Sequence, residues 1–150
     1  MSQQIQLSKA IAITATAFDG VFDKGGMPYI LHCLHVMDVV GKKTDKDLEV
    51  MQIAVMHDLI EDTDWELEDL EREGFSDRVV RGVALMTHHH DESYERYVHM
   101  IATNPDTRIV KMADLKHNSD PMRMKGLREK DFERLEKYHR AFAYLKNYKG

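Results

Sequence analysis

Ile53-Ala54-Val55-Met56-His57-Asp58-Leu59-Ile60-Glu61-Asp62 embeds four ionisable side chains in a run of apolar ones. If the stretch is helical, His57 and Glu61 lie four residues apart, as do Asp58 and Asp62, so the four polar groups share one compact patch. A helix that is apolar on nearly every side belongs in the centre of a bundle. Charged groups buried there cost several kcal/mol each unless paired. His57-Asp58 is then either a satisfied core pair beside a solvated Glu61-Asp62 turn, or part of a site that binds metal or moves protons.

Outward from this stretch the apolar period is helical almost everywhere. Ala10, Ile11, Thr14, Ala17, Phe18 and Val21 predict a first helix over about residues 5–20. Asp23-Lys24-Gly25-Gly26 predicts a loop. Pro28 suits the first turn of a second helix, with Ile30, Leu34, Met37 and Val40 inward and Gly41 near its end. Leu48, Met51, Val55 and Leu59 carry the central helix. Thr63-Asp64-Trp65-Glu66 has capping-box form, predicting a short helix that ends near Gly74. Ser76 caps the next, with Val79, Val83 and Met86 periodic. Tyr94, Tyr97, Val98 and Ile101 mark another, broken at Asn104-Pro105. A helix through Ile109–Asn118 and a last one carrying Phe132, Leu135, Tyr138, Phe142 and Leu145 complete the chain. No alternating run and no internal repeat is present. The expectation is an all-α bundle of about seven or eight helices, forming a single domain over 1–150.

At 150 residues, 43% hydrophobic and 31% charged, the chain can bury a core without disulfides or structural metal. Cys33 is the single cysteine, which excludes an internal disulfide framework and fits a reducing compartment. There is no basic, apolar leader and no run of about 18 apolar residues, so a cytoplasmic location without membrane contact is expected. A net charge of −5 argues against a general nucleic-acid binder. It leaves room for a small phosphorylated ligand, because a metal and a few local cations reverse the sign of one pocket. Self-association stays open.

Imidazole and carboxylate donors suit Mn²⁺, Fe²⁺ or Zn²⁺ better than Ca²⁺. Adjacent residues cannot both point one way from an ideal helix, so His57 and Asp58 can converge only near a helix end or flank. Further donors must then come from other helices, and His32 and Asp114 are the natural candidates. Lys111, Asp114 and Asn118 share one helix face, with His117 three residues beyond Asp114. Plainer readings fit the rest. His88-His89-His90 is a solvated junction, residues 66–71 are a solvated helix face, and the ten methionines fill core gaps. Nothing in the spacing of Arg123 and Lys125 demands a phosphate.

His32, His57-Asp58 and Asp114 resemble the H…HD…D pattern of the HD-domain metal-dependent phosphohydrolases. Three flanking segments are closer to one branch: Asp23-Lys24-Gly25-Gly26-Met27-Pro28-Tyr29-Ile30-Leu31-His32, His57-Asp58-Leu59-Ile60-Glu61-Asp62-Thr63, and Val110-Lys111-Met112-Ala113-Asp114-Leu115-Lys116-His117-Asn118. They are similar to the hydrolase motifs of the RelA/SpoT-type alarmone enzymes, especially the stand-alone small alarmone hydrolases, over roughly residues 10–123. The resemblance implies that His32, His57, Asp58 and Asp114 hold one Mn²⁺, and that Glu61 and Asp62 orient and deprotonate the attacking water. It implies a nucleotide substrate, (p)ppGpp, split to pyrophosphate and GDP or GTP. Lys24 would meet the pyrophosphate, Lys111 either a phosphate or Asp114, and Asn118 the nucleoside, while Tyr29 is packing or contact.

Three positions depart from the branch. Asp23 stands where the long alarmone enzymes carry an arginine that stacks on guanine, which an Asp cannot do. Base choice is therefore open, adenine alarmones included. Cys33 replaces a usual proline, a change expected to affect helix packing only, and Phe18 stands where the branch often has a histidine that is not one of the four ligands. Other nucleotides as substrates, or a nucleotide-sensing module without turnover, are the rival readings. The presence of all four ligands and both acids weighs against the last.

Overall fold

The structure is a computed structural model and describes residues 2–150. Side-chain caps start most of its long helices. Ser2, Asp47, Ser76 and Ser93 each accept a first-turn backbone N–H (3.3, 3.3, 3.3 and 3.1 Å). Asn104 accepts two, from Asp106 and Thr107, with Pro105 at the first helical position. Nine α-helices result among the described residues: α1 (Gln3–Ala17), α2 (Ile30–Lys43), α3 (Leu48–Val55), α4 (Leu59–Asp62), α5 (Leu67–Arg72), α6 (Asp77–Met86), α7 (Tyr94–Ala102), α8 (Pro105–Asn118) and α9 (Glu129–Asn147). A 3₁₀ turn over Pro121–Arg123 links the last two. An isolated bridge between Phe22 and Pro28 is the one β-type pairing among the described residues, so the all-α expectation holds.

The helix count exceeds seven or eight because the expected central helix breaks. α3 ends at Val55, and Met56 and Asp58 adopt φ, ψ near −97°, 7° and −104°, 0°. The His57 ring lies 2.7 Å from the Ala54 carbonyl through Nδ1, taking the acceptor that an unbroken helix would give to the N–H of residue 58. α4 then restarts at Leu59. The capping box also lies three residues later than expected. Glu66 and Asp69 form it, whereas Thr63 closes α4 by donating to the Leu59 carbonyl (2.6 Å). Gly74 follows α5 at φ 85°, a turn that favours glycine. α1 stops at Ala17, and Pro28 sits two residues before α2, in the bridge with Phe22. Val21 and Phe132, both expected inward, are 42% and 56% exposed; α9 turns Ala141 and Leu145 inward instead.

α3 is the axis of the bundle. Val50, Ile53, Ala54, Val55 and Met56 are all buried, and α1, α2, α6 and α8 pack around them. Gly82 of α6 lies directly on Ile53: a Cβ there would sit 2.8 Å from Ile53 Cγ1 and closer still to Cδ1. Gly82→Ala should therefore lower stability by about 1–3 kcal/mol through overpacking. A thermal melt checks this, and an unchanged midpoint would show that the interface yields. No described helix is long and apolar enough to cross a membrane.

Candidate metal centre and adjoining cleft

The break after α3 brings two neighbouring side chains to one point. His57 Nε2 lies 3.0 Å from Asp58 Oδ2 and 3.2 Å from Asp114 Oδ1. From α2, His32 Nε2 lies 3.0 Å from the same Asp114 oxygen and 4.0 Å from Asp58 Oδ2. All four donor atoms fall within 4.8 Å of one another. His32, His57 and Asp114 are buried, while Asp58 is half-buried. Cys33, one residue from His32, is buried in the core, and burial pushes its thiol up to about 12, so it stays an inert apolar group.

The Ala54 carbonyl can only accept, so His57 carries a proton on Nδ1, and in its neutral form Nε2 is a lone pair aimed at two carboxylates. His32 Nδ1 lies 2.7 Å from His117 Nδ1. Burial, then the charges of Arg123 and His32, push His117 down to about 4, so it is neutral and able to accept. With His117 accepting, a neutral His32 carries its proton on Nδ1 and turns Nε2 toward Asp114 as a lone pair. Acceptors thus face acceptors, an arrangement stable only with positive charge among them. Burial would lower the pKa of His57, but Asp58 and Asp114 outweigh it and hold it well above the usual histidine range. A divalent cation of the imidazole–carboxylate class fits the same need with all four donors. The distal nitrogens are already fixed, as outer partners fix metal-ligating histidines.

Further residues tie the centre down. Tyr29 donates its hydroxyl to Asp58 Oδ2, and burial together with the Asp58 charge raises the phenol's pKa. Lys111 is 12% exposed, with Nζ 3.0 Å from Asp114 Oδ2 and 5.2 Å above the Tyr97 ring. Of the two roles open to Lys111, the geometry favours support of Asp114 over contact with a phosphate. Burial would raise the pKa of Asp114, yet Lys111 and His57 hold it well below the usual carboxylate range. Asn118 donates to Asp114 Oδ1 at 2.9 Å and also lines the neighbouring cleft. Glu61 and Asp62 part company. Glu61 Oε1 accepts the backbone N–H of His88 (2.7 Å), whereas Asp62 lines the cleft. Burial, then the charges of Asp58 and Glu61, push the Asp62 carboxyl up to about 6.

The cleft has a volume of about 370 Å³ and opens beside the centre, with Tyr29, Asp62 and Asn118 at its inner end. Lys24, Arg123 and Arg134 supply its cations. Asp23, the residue that left base choice open in the sequence, is occupied structurally. Its Oδ1 accepts the N–H groups of Gly25 and Met27 (2.9 Å each), and its Oδ2 pairs with Arg123 (3.1 Å). Sequence reasoning missed the His32–His117 pair and the cleft positions of Arg134 and Tyr138. Only the three-residue step from Asp114 to His117 could have pointed to the first. The His88-His89-His90 segment is a loop with His88 stacked on Tyr97, centroids 4.5 Å apart, and its contribution to the site is a backbone N–H.

No protein-family model matches the chain. A GTP pyrophosphokinase of Streptomyces coelicolor is 31% identical over 127 residues, covering 79% of this chain and 15% of that protein. A guanosine-3′,5′-bis(diphosphate) 3′-pyrophosphohydrolase of Haemophilus influenzae is 32% identical over 116 residues, covering 71% and 17%. The enzyme of that name called MESH1 in Danio rerio is 31% identical over 102 residues, covering 64% and 56%. The chain thus spans only about a sixth of the bacterial relatives' length and just over half of the fish one. Among solved structures, a metazoan ortholog of SpoT described as hydrolysing ppGpp has the same fold, with TM-score 0.76, 18% identity, and 94% and 85% of the two chains covered. By sequence and by helical fold, the chain is an HD-type relative of the RelA/SpoT alarmone enzymes.

Proposed function

We propose that this chain hydrolyses the 3′-pyrophosphate of guanosine alarmones, (p)ppGpp, releasing pyrophosphate and GDP or GTP. The observation that carries the reading is the four-donor centre with both imidazole Nε2 atoms turned inward, opening on a cationic cleft. A divalent ion held by His32, His57, Asp58 and Asp114, Mn²⁺ first among them, would polarise a phosphoryl oxygen and lower the pKa of a bound water. The chain's own groups do the rest. Burial, then the Arg134 guanidinium, lower the pKa of Lys24, as expected of cations gathered without enough anion; a pyrophosphate relieves both. Asp62 takes the proton of the attacking water, and Glu61, fixed by the His88 N–H, holds the segment that carries Asp62. Asn118, already bonded to Asp114, faces the nucleoside from the cleft wall. Water attacks the phosphorus joined to the 3′ oxygen, the bond to that oxygen breaks, and the ribose hydroxyl leaves.

Asp62 accepts a proton only when ionised. Its carboxyl, faced by Asp58, Glu61, His57 and Asp114, stands at about 6, so kcat/KM should fall as pH drops through that value. A bound cation moves the limb lower, never higher. Occupation of Asp23 by the turn and by Arg123 keeps an adenine alarmone open as a second substrate. Pyrophosphate release from ppGpp, its adenine counterpart and plain mononucleotides, with Mn²⁺ and then with chelator, tests the proposal. Release is expected from the 3′-pyrophosphorylated substrates, with metal only. Turnover of mononucleotides alone contradicts it.

A further inference from the structure

Arg123 is anchored from three sides. Its Nη1 donates to the His117 carbonyl (2.8 Å) and to Asn118 Oδ1 (3.3 Å), and its Nη2 to Asp23 Oδ2 (3.1 Å). The turn that holds Asp23 packs on the same residue, since a Cβ on Gly25 would collide with the Arg123 carbonyl oxygen. The donors of one nitrogen and part of another are thus committed to protein acceptors. The end-on fork of Nη1 and Nη2 is therefore spent on them and offers a phosphate no bidentate grip. The planar faces remain: the side chain is 23% exposed, lines the cleft, and makes none of the cation–π contacts found among the described residues. Phe22, 63% exposed on the same cleft, is a large aromatic left in water. Flat cations and exposed aromatics are the surfaces on which nucleobases stack.

We propose that Arg123, held by its edge between Asp23, His117 and Asn118, is the platform on which the substrate's base stacks, with Phe22 as the second wall of that subsite. The proposal rests on the nucleotide reading of the cleft. It makes the Asp23–Arg123 pair the device that joins the turn before α2 to the segment after α8.

GMP and ribose 5-phosphate share the sugar phosphate, with an anomeric hydroxyl in place of the base in the second, and make a pair of probes for the Mn²⁺-loaded protein. Arg123→Lys keeps the charge but loses the plane. It should weaken GMP binding about tenfold and leave ribose 5-phosphate unchanged. It should also raise KM for ppGpp with little change in kcat. Phe22→Ala, at an exposed position, should give the same selective loss with no change in melting temperature. Equal losses for the two probes in Arg123→Lys, together with unchanged GMP affinity in Phe22→Ala, would overturn the platform. So would GMP binding untouched by either change, or no GMP binding by the unaltered protein. Because binding is read without turnover, a protein that stacks GMP yet releases no pyrophosphate would refute the proposed activity and leave the platform standing.

Discussion

Asp114→Asn should destabilise the protein by about 3–5 kcal/mol, the usual cost of leaving a buried charge unpaired. The charge left behind is Lys111, 12% exposed, with Nζ 3.0 Å from Asp114 Oδ2. Burial would lower the pKa of Lys111, yet Asp114 holds it well above the usual lysine value, so the two charges depend on each other. The melting temperature should fall by roughly 6–20 °C, at about 2–4 °C per kcal/mol for a chain of this size. The same change removes the negative charge that His32 and His57 face, and an amide that keeps its oxygen on Lys111 turns its NH2 toward both imidazoles, so Mn²⁺ should no longer raise the melting temperature. For the unaltered protein, Mn²⁺ at a thousand times its Kd should add about 4 kcal/mol. Adding Lys111→Met to Asp114→Asn should restore most of the stability and none of the metal response. A single variant that melts normally would mean that Lys111 finds another partner.

Asp62→Asn should lower kcat by about 10²–10⁴-fold while metal affinity stays within a few-fold, because the residue lines the cleft without belonging to the four-donor set. Glu61→Gln should cost less. The glutamine oxygen can still accept the His88 N–H, so the support of α4 persists while one negative charge beside Asp62 is lost. That loss should also move the acid limb of the rate profile to lower pH, since Glu61 helps to raise the Asp62 pKa. Single-turnover rates with metal titrations on both variants separate the roles. Loss of Mn²⁺ binding in Asp62→Asn, or a larger rate loss in Glu61→Gln, would reverse the assignment.

Much of the fold was legible because its signals are local. Ser76 caps where its side chain precedes apolar periodicity, and Asn104-Pro105 breaks the chain after α7, although α8 starts at Pro105 itself, a turn ahead of the apolar run at Ile109. The break at Met56-His57-Asp58 was not legible from apolar periodicity, which registers side-chain faces and not competition for the Ala54 carbonyl. A hint was present: two adjacent donors cannot converge from a regular helix, and convergence at Asp114 therefore required an irregular one. The capping box slipped because Thr63/Glu66 and Glu66/Asp69 have equal spacing; Thr63 went to the Leu59 carbonyl instead. The Asp23–Arg123 pair joins residues 100 apart, and the Glu61–His88 bond residues 27 apart. No spacing rule reaches contacts that only the tertiary fold creates. Phe132 lies on the apolar stripe of α9, yet no neighbour covers that end of the helix, and it stays exposed.

The position of bond cleavage tests the central claim most directly. Mn²⁺-loaded protein should turn over ppGpp in water enriched in heavy oxygen (¹⁸O), with products resolved by mass spectrometry. Attack on the phosphorus joined to the 3′ oxygen, with Asp62 taking the proton, puts one heavy oxygen in pyrophosphate and none in GDP. Label in orthophosphate, label in the ribose hydroxyl, or no turnover at all would contradict a 3′-pyrophosphohydrolase centred on His32, His57, Asp58 and Asp114.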